Sequence, residues 1–281
     1  MPQKKMIHDF FDMKARGEKI AFLTAYDFPT AQFAQTAGLD MLLVGDSLGM
    51  CVYGYPGTVP VTMEQCIRHA EAVRRGAPDT FVVGDMPFMS YQISCEAAVE
   101  NAGRFLKEAG VDAIKLEGGV RVASKIRAIV DAGIVVMGHI GLTPQSSGQL
   151  GGHKAQGRTL GSARTVVQDA LAVQEAGAHM VLVEAIPPEV GAYITRVLSI
   201  PVLAIGAGVD CDGQLLIVAD VIGQFQTFVP KFVKRYCDVA GTVTEAMREY
   251  VADVKAGTFP AEEHSYRMLE GEEEKFRAEF A

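Results

Sequence analysis

Residues 81–119 read FVVGDMPFMSYQISCEAAVENAGRFLKEAGVDAIKLEGG, and the reading of this stretch decides the fold. A short apolar, β-branched run at 81–87 carries a carboxylate, Asp85, near its end. A helical pattern follows over 94–109 and stops at Ala109-Gly110, where glycine tolerates the left-handed conformation that closes a helix. A second apolar run at 113–119 then carries Lys115 and Glu117. Both runs are nearly continuous in apolar residues rather than alternating, which suits parallel strands covered on both faces.

Outward from this unit the pattern recurs. Further strands are expected at 20–27, 41–46, 135–141, 180–187, 200–208 and, most weakly marked, 218–222, which makes eight. Helical patterns at 62–75, 120–132, 161–177 and 188–198 lie between them, with further stops at Ala37-Gly38 and Ala176-Gly177. Eight such repeats in 281 residues predict an α/β fold, a (β/α)8 TIM barrel forming one domain over 1–281. A doubly wound open sheet would more often carry a Gly-rich phosphate fingerprint after its first strand, and TAYDFPTA at 24–31 is not one. Residues 4–17 read as an extra N-terminal helix plugging the barrel's N-terminal mouth. Residues 231–255 read as C-terminal helices, the last barrel helix and one after it. The acidic tail at 260–281 reads as a surface helix or a mobile segment.

A net charge of −8 argues against a nucleic-acid partner. An anionic substrate would need a local Lys, Arg or metal to offset that field. Cys51, Cys66, Cys95, Cys211 and Cys237 are odd in number and widely spaced, as in a cytoplasmic protein with reduced thiols. The first residues do not form a signal peptide, and no apolar run is long enough for a bilayer, so no membrane association is expected.

Six expected strands end in or near an ionisable group: Asp27, Asp46, Asp85, Lys115 with Glu117, His139, and Glu184. In a barrel these ends converge on one mouth, the face that carries chemistry. Any one of the acids could cap a helix or pair with a nearby base. Caps have no reason to recur at successive strand ends, so the set points to a catalytic mouth. Crowded carboxylates repel, and a divalent cation relieves that repulsion. Asp46, Asp85 and Glu117 end strands two, three and four, and hard oxygen ligands suit Mg2+ better than Zn2+, with some acting through water. Lys115 fits a substrate carboxylate, or a Schiff base in a metal-free aldolase; the neighbouring acids favour the charged form. Glu184 lies among apolar residues that would raise its pKa and suit it as a general base, or it caps the helix near Pro187-Pro188. His139 either orients a substrate oxygen or is a core histidine, and Ser47 either caps its loop or binds a carboxylate. Gly206-Ala207-Gly208 could cradle a phosphate, although a lone GxG is a weak signal. Two long connections, 47–61 and 142–160, both follow strands, and GGHKAQGR at 151–158 reads as a basic lid.

Several blocks resemble the ketopantoate hydroxymethyltransferase family: TAYD at 24–27, VGDSLGM at 44–50, AVRRGAP at 72–78, GDMPFMSY at 84–91, IKLEGG at 114–119, GHIGLTPQS at 138–146, IGAG at 205–208 with DGQLL at 212–216, and PKFVK at 230–234. The resemblance runs from about residue 6 to about residue 266. It implies a barrel of the phosphoenolpyruvate mutase and isocitrate lyase-like superfamily, Mg2+, and 5,10-methylenetetrahydrofolate as co-substrate. The implied reaction moves a hydroxymethyl group onto 3-methyl-2-oxobutanoate, giving 2-dehydropantoate for pantothenate synthesis. By the same resemblance, Asp46, Asp85 and Glu117 fall on metal positions. Asp46, Ser47, Asp85 and Lys115 fall on oxo-acid positions, Glu184 on the base, and the assembly is a homodecamer. His153-Lys154-Ala155 stands where the family usually has Tyr-Lys-Val, and Tyr55-Pro56-Gly57-Thr58 replaces a stretch that is often acidic or Ser-bearing. These departures leave open a paralogue acting on another 2-oxo acid. A carbon–carbon lyase of the same superfamily would carry a KKCGH-type loop, which is missing here. The retained acids, lysine and base argue against a non-catalytic scaffold.

Overall fold

Eight parallel strands close into a barrel in the computed structural model, which describes residues 4–281. They are β1 (Ile20–Thr24), β2 (Met41–Val44), β3 (Phe81–Asp85), β4 (Ala113–Glu117), β5 (Val136–Gly141), β6 (Met180–Glu184), β7 (Val202–Ile205) and β8 (Gly213–Leu216). Between and around them run α1 (Ile7–Arg16), α2 (Phe28–Thr36), α3 (Leu48–Cys51), α4 (Met63–Gly76), α5 (Cys95–Arg104) with a π turn at Phe105–Ala109, and α6 (Ala123–Asp131). The chain continues through α7 (Ser147–Leu150), α8 (Leu160–Glu175), α9 (Pro188–Val197), α10 (Val218–Val221), α11 (Val239–Ala256) and α12 (Glu272–Glu279). Local chemistry starts the helices: Thr62 and Gln65 form a reciprocal capping box for α4, and Ser94 caps α5 through the Ala97 N–H.

The eighth strand differs from the sequence expectation. Residues 218–221 are helical, as α10, and the barrel closes instead through β8. A short apolar run fits helix or strand equally well by period, so pairing decides. Gly213 to Leu216 register against Ile20 to Leu23, while Gly213 and Gln214 pair with Leu203 and Ala204. A side chain at 213 would lie 2.6 Å from the Ile20 carbonyl oxygen, so the close approach needs glycine. The Val218 N–H donates to Thr24 Oγ1 at 3.0 Å, which seats α10 at the barrel's C-terminal end.

Two apolar layers follow from the strand alternation. Outward residues such as Leu42, Val82, Ile114, Val181 and Val202 are fully buried under the helices. Inward residues Ile20, Phe22, Met41, Phe81, Met137 and Met180 fill the lower barrel. From α1, Phe10 and Met13 close the N-terminal mouth, Phe10 packing edge-on against Phe81 at 5.1 Å, in line with the plugging helix expected at 4–17. Lys14 fixes that plug by pairing with Asp212 at 2.6 Å.

One sector of the barrel wall is bare. Outward residues Ala21 of β1 and Gln214 of β8 are exposed, where their counterparts on β2 to β7 are buried. The helix that follows β8, α10, is only four residues long, too short to cover them. The 18-residue α11 comes next in the chain, yet none of its residues is buried. Val243, Met247, Tyr250, Val251 and Val254 are between 44% and 63% exposed along it. Among the described residues no helix is long and apolar enough to cross a membrane.

Candidate active site

The inward side chains turn polar in the upper half of the barrel. Asp85 and Lys115 are register partners across β3 and β4, and Glu117 and His139 across β4 and β5. Two residues apart on one strand, Lys115 and Glu117 point the same way. Asp46 lies two residues beyond β2, and Glu184 ends β6. The structure thus brings together Asp46, Ser47, Asp85, Lys115, Glu117, His139 and Glu184 around one cavity of about 140 Å3. Asp27 is not among them. Its carboxylate caps α2 by accepting from the Thr30 N–H at 2.8 Å.

All but Ser47 and Glu184 of this set are at most 5% exposed. Lys115 Nζ stands 2.8 Å from Asp85 Oδ1 and 3.6 Å from Glu117 Oε1. Burial works against its charge, but Asp85, Glu117 and Asp46 outweigh it and hold the ammonium well above its ordinary range. The neighbouring acids thus favour the charged ammonium over the neutral amine that a Schiff base needs. Burial pushes all three acids upward. Glu117 adds to the rise at Asp46, Asp46 and Glu117 add to it at Asp85, and Lys115 opposes it at each. His139 is pushed down by burial and by Lys115 against the opposing pull of Glu184, and the net shift favours its neutral form. Its Nδ1 is 3.2 Å from Lys115 Nζ and its Nε2 3.1 Å from Glu184 Oε2, the latter an approach off the hydrogen-bond axis. Ser47 Oγ shares a 2.7 Å hydrogen bond with the Tyr26 hydroxyl.

A rule runs through the three acids. Asp85 Oδ2 accepts from the Asp46 N–H at 2.9 Å, Glu117 Oε2 from the Gln145 N–H at 3.0 Å, and Asp46 Oδ2 from the Gln145 amide at 2.9 Å. One oxygen of each is pinned. Of the others, Asp85 Oδ1 and Glu117 Oε1 are buried with no well-aligned hydrogen bond, and the Lys115 ammonium is their counter-charge. Among the described residues, no three His, Cys, Asp or Glu side chains are grouped tightly enough to wrap one ion by themselves. This hard-oxygen set nonetheless fits Mg2+, which takes one or two carboxylates and fills its shell with water and substrate oxygens.

Backbone strain marks the rim. Ala185, directly after Glu184, has φ of 48°, a conformation that costs an alanine about 1 kcal/mol or more. Its N–H is held by the Ile205 carbonyl and its own carbonyl by the Gln156 N–H, each at 2.9 Å. The turn fixes the direction in which the Glu184 side chain leaves the sheet.

Both long connections reach the cavity, 47–61 through Met50 and Thr58 and 142–160 through Pro144 and His153. Phe228, Pro230 and Phe232 close it from the β8 side; the sequence reading missed them, although PKFVK at 230–234 was a signal. Close packing accounts for the glycines of the turn Gly206-Ala207-Gly208. A side chain at 206 would meet the Phe232 ring at 2.5 Å, and one at 208 would meet Pro188 Cβ at 2.7 Å. Gln145 and Tyr91 also escaped the sequence reading. With Glu117 they also line a second, open cleft of about 390 Å3.

A profile of the family described as ketopantoate hydroxymethyltransferase matches residues 4–262. The 3-methyl-2-oxobutanoate hydroxymethyltransferase of Alkaliphilus metalliredigens is 64% identical over 274 residues, 98% of this chain and 97% of that protein. The protein of the same name from Carboxydothermus hydrogenoformans is 53% identical, covering 92% and 93%. Among solved structures, phosphonopyruvate hydrolase in complex with oxalate and Mg2+ superposes with a TM-score of 0.61 at 14% identity, covering 98% of both chains. A 2,3-dimethylmalate lyase of the PEP mutase/isocitrate lyase superfamily gives 0.60 at 18% identity, covering 99% of both. At such identities the structural likeness is one of fold.

Proposed function

This chain belongs to the ketopantoate hydroxymethyltransferase family, and we propose that it transfers a hydroxymethyl group from 5,10-methylenetetrahydrofolate to 3-methyl-2-oxobutanoate, giving 2-dehydropantoate for pantothenate synthesis. The observation that carries the reading is the set of half-pinned acids around Lys115, with Glu184 on the same cavity.

Asp46, Asp85 and Glu117 would hold Mg2+, some of them through water. When bound, the ion supplies a Lewis acid for the 2-oxo group and carboxylate of the substrate. Lys115 and Ser47 offer a cation and a hydroxyl to that carboxylate, with Asp46 and Asp85 beside them. Glu184 is the least buried acid of the set, its side chain 14% exposed, and takes the proton from C3. His139, neutral and between Lys115 and Glu184, orients the substrate oxygen. The C3 carbanion equivalent then attacks the methylene carbon while it is an iminium on the folate nitrogen; the carbon–nitrogen bond afterwards breaks, tetrahydrofolate leaves with a proton from water, and the hydroxide of that water completes the hydroxymethyl group. The loops carrying Thr58 and His153, with Phe228 and Phe232, keep bulk water from the reacting carbon. His153 and Thr58 lie on the segments that depart from the family's usual pattern, and both face the cavity.

The same resemblance suggests a homodecamer. The bare face on β1 and β8, together with the uncovered α11, supports association between copies. Five unpaired cysteines are in keeping with a cytoplasmic setting.

The test follows consumption of 3-methyl-2-oxobutanoate with and without methylenetetrahydrofolate and Mg2+. Product that requires both additions is the expected result. Exchange of the C3 proton with solvent but no product would mean that the one-carbon donor or the oxo acid is wrong. The absence of both turnover and exchange would refute the reading.

A further inference from the structure

Gln145 has no chemistry of its own, yet it hydrogen-bonds two of the acids, Asp46 through its side chain and Glu117 through its backbone N–H. It sits in the 3-10 turn Pro144–Ser146 that follows β5, at the base of the 142–160 loop, and is 4% exposed. Its backbone N–H holds Glu117 Oε2 at 3.0 Å. Its side-chain Nε2 donates to Asp46 Oδ2 at 2.9 Å and to the Met86 carbonyl at 3.0 Å. Its Oε1 accepts from the Tyr91 hydroxyl at 2.7 Å. That hydroxyl accepts in turn from the Glu117 N–H at 3.1 Å. One residue from the fifth strand's loop is thereby tied to the ends of β2, β3 and β4.

The orientation of the amide is forced. A carbonyl at Met86 and a carboxylate at Asp46 both demand a donor, while the Tyr91 hydroxyl, already accepting from the Glu117 N–H, donates. Glutamate at 145 would set a fourth carboxylate against Asp46, and an apolar residue would leave Asp46 Oδ2 and the Met86 carbonyl buried and unpaired.

We propose that Gln145 is a positioning residue: with Tyr91 behind it, it fixes which oxygens of Asp46 and Glu117 are presented to the cation and the oxo acid. This rests on the Mg2+ reading above. Residues that orient the ligands of a metal typically alter its affinity by about 10- to 100-fold when removed. Gln145 makes no contact with the reacting atoms; it acts through the acids.

Gln145→Met keeps the length and the backbone N–H but removes the amide. Mn2+ serves as the probe, its binding to the full-length chain followed by electron paramagnetic resonance, with thermal unfolding run beside it. The expected result is a folded variant whose Mn2+ dissociation constant rises by about tenfold, with a matching rise in the Mg2+ concentration that half-activates turnover. A folded variant that binds Mn2+ as tightly as the wild type overturns the inference. Should Gln145→Met fail to fold, Tyr91→Phe carries the test, since it frees Oε1 but leaves the amide donors in place. A rise of about threefold supports the role, and no rise refutes it. A wild-type chain that binds no Mn2+ would instead overturn the metal reading, and this inference with it.

Discussion

Replacing Lys115 by methionine isolates the charge at the centre of the site. Methionine keeps most of the aliphatic stem, so packing changes little, while Asp85 at 2.8 Å and Glu117 at 3.6 Å lose their cation in a place that is 3% exposed. Removing one partner of a buried ion pair costs roughly 3–5 kcal/mol, because the surviving charge stays buried. The loss has a pH signature. Burial already raises Asp46, Asp85 and Glu117 above their ordinary values. Their native forms therefore hold protons that the unfolded chain releases. The stability they contribute is fully present below the ordinary carboxylate pKa and is lost as pH rises through the native values. Without Lys115 those values rise further, so the deficit is largest in alkali and shrinks on acidification. The assay is urea unfolding with chelator present, at pH 8 and pH 5.5, converting midpoint shifts through the slope. A loss of about 3–5 kcal/mol at the higher pH, markedly reduced at the lower, is expected. A deficit that is equal at both, or below about 1 kcal/mol, would mean that the cation does not offset the acids and that the reasoning is wrong.

Glu184→Gln should lower kcat by about 10²- to 10⁴-fold with little change in the KM for the oxo acid, measured as folate-dependent turnover; near-normal kcat would remove Glu184 from the role of base. Phe10→Ala should destabilise by about 3–5 kcal/mol in denaturant titration, because it opens the plug against Phe81, while kcat of the folded fraction stays near normal. Met247→Asp together with Val251→Asp places two charges on the uncovered apolar side of α11. Sedimentation velocity should show smaller assemblies than the wild type, and an unchanged distribution would free α11 from any part in association.

Seven strands were legible in the sequence because each is a nearly continuous apolar run, the mark of a strand buried on both faces. The run at 218–222 has the same composition, but burial on one side of a short helix gives the same pattern, and only pairing with Ile20–Leu23 reveals β8. Asp46, Asp85, Lys115, Glu117, His139 and Glu184 could be read because each sits at a strand end, and a barrel gathers strand ends. Asp27 has the same position in the sequence and a different fate, since the Thr30 N–H lies within its reach. Gln145, Tyr91, Phe228 and Phe232 stand on loops, where no period says which way a side chain turns. Their neighbours in space lie far off in sequence, as Gln145 and Asp46 do at 99 residues apart.

The barrel's interior is built in storeys, with Phe10, Phe22, Phe81 and Met180 below and Asp46, Lys115, Glu117 and His139 above. The lower storey carries cohesion and takes no part in chemistry; the upper carries chemistry and is costly to fold. The two meet at Leu43, Leu182, Ile205 and Leu215, which belong to the apolar cluster and line the cavity. For a protein engineer this is a chassis: the upper side chains and the loops behind them are open to recasting for another oxo acid, provided the floor beneath is left alone. It also separates two kinds of inherited damage. Lesions in the floor should show as scarcity of a competent enzyme, and lesions above as plenty of an inert one.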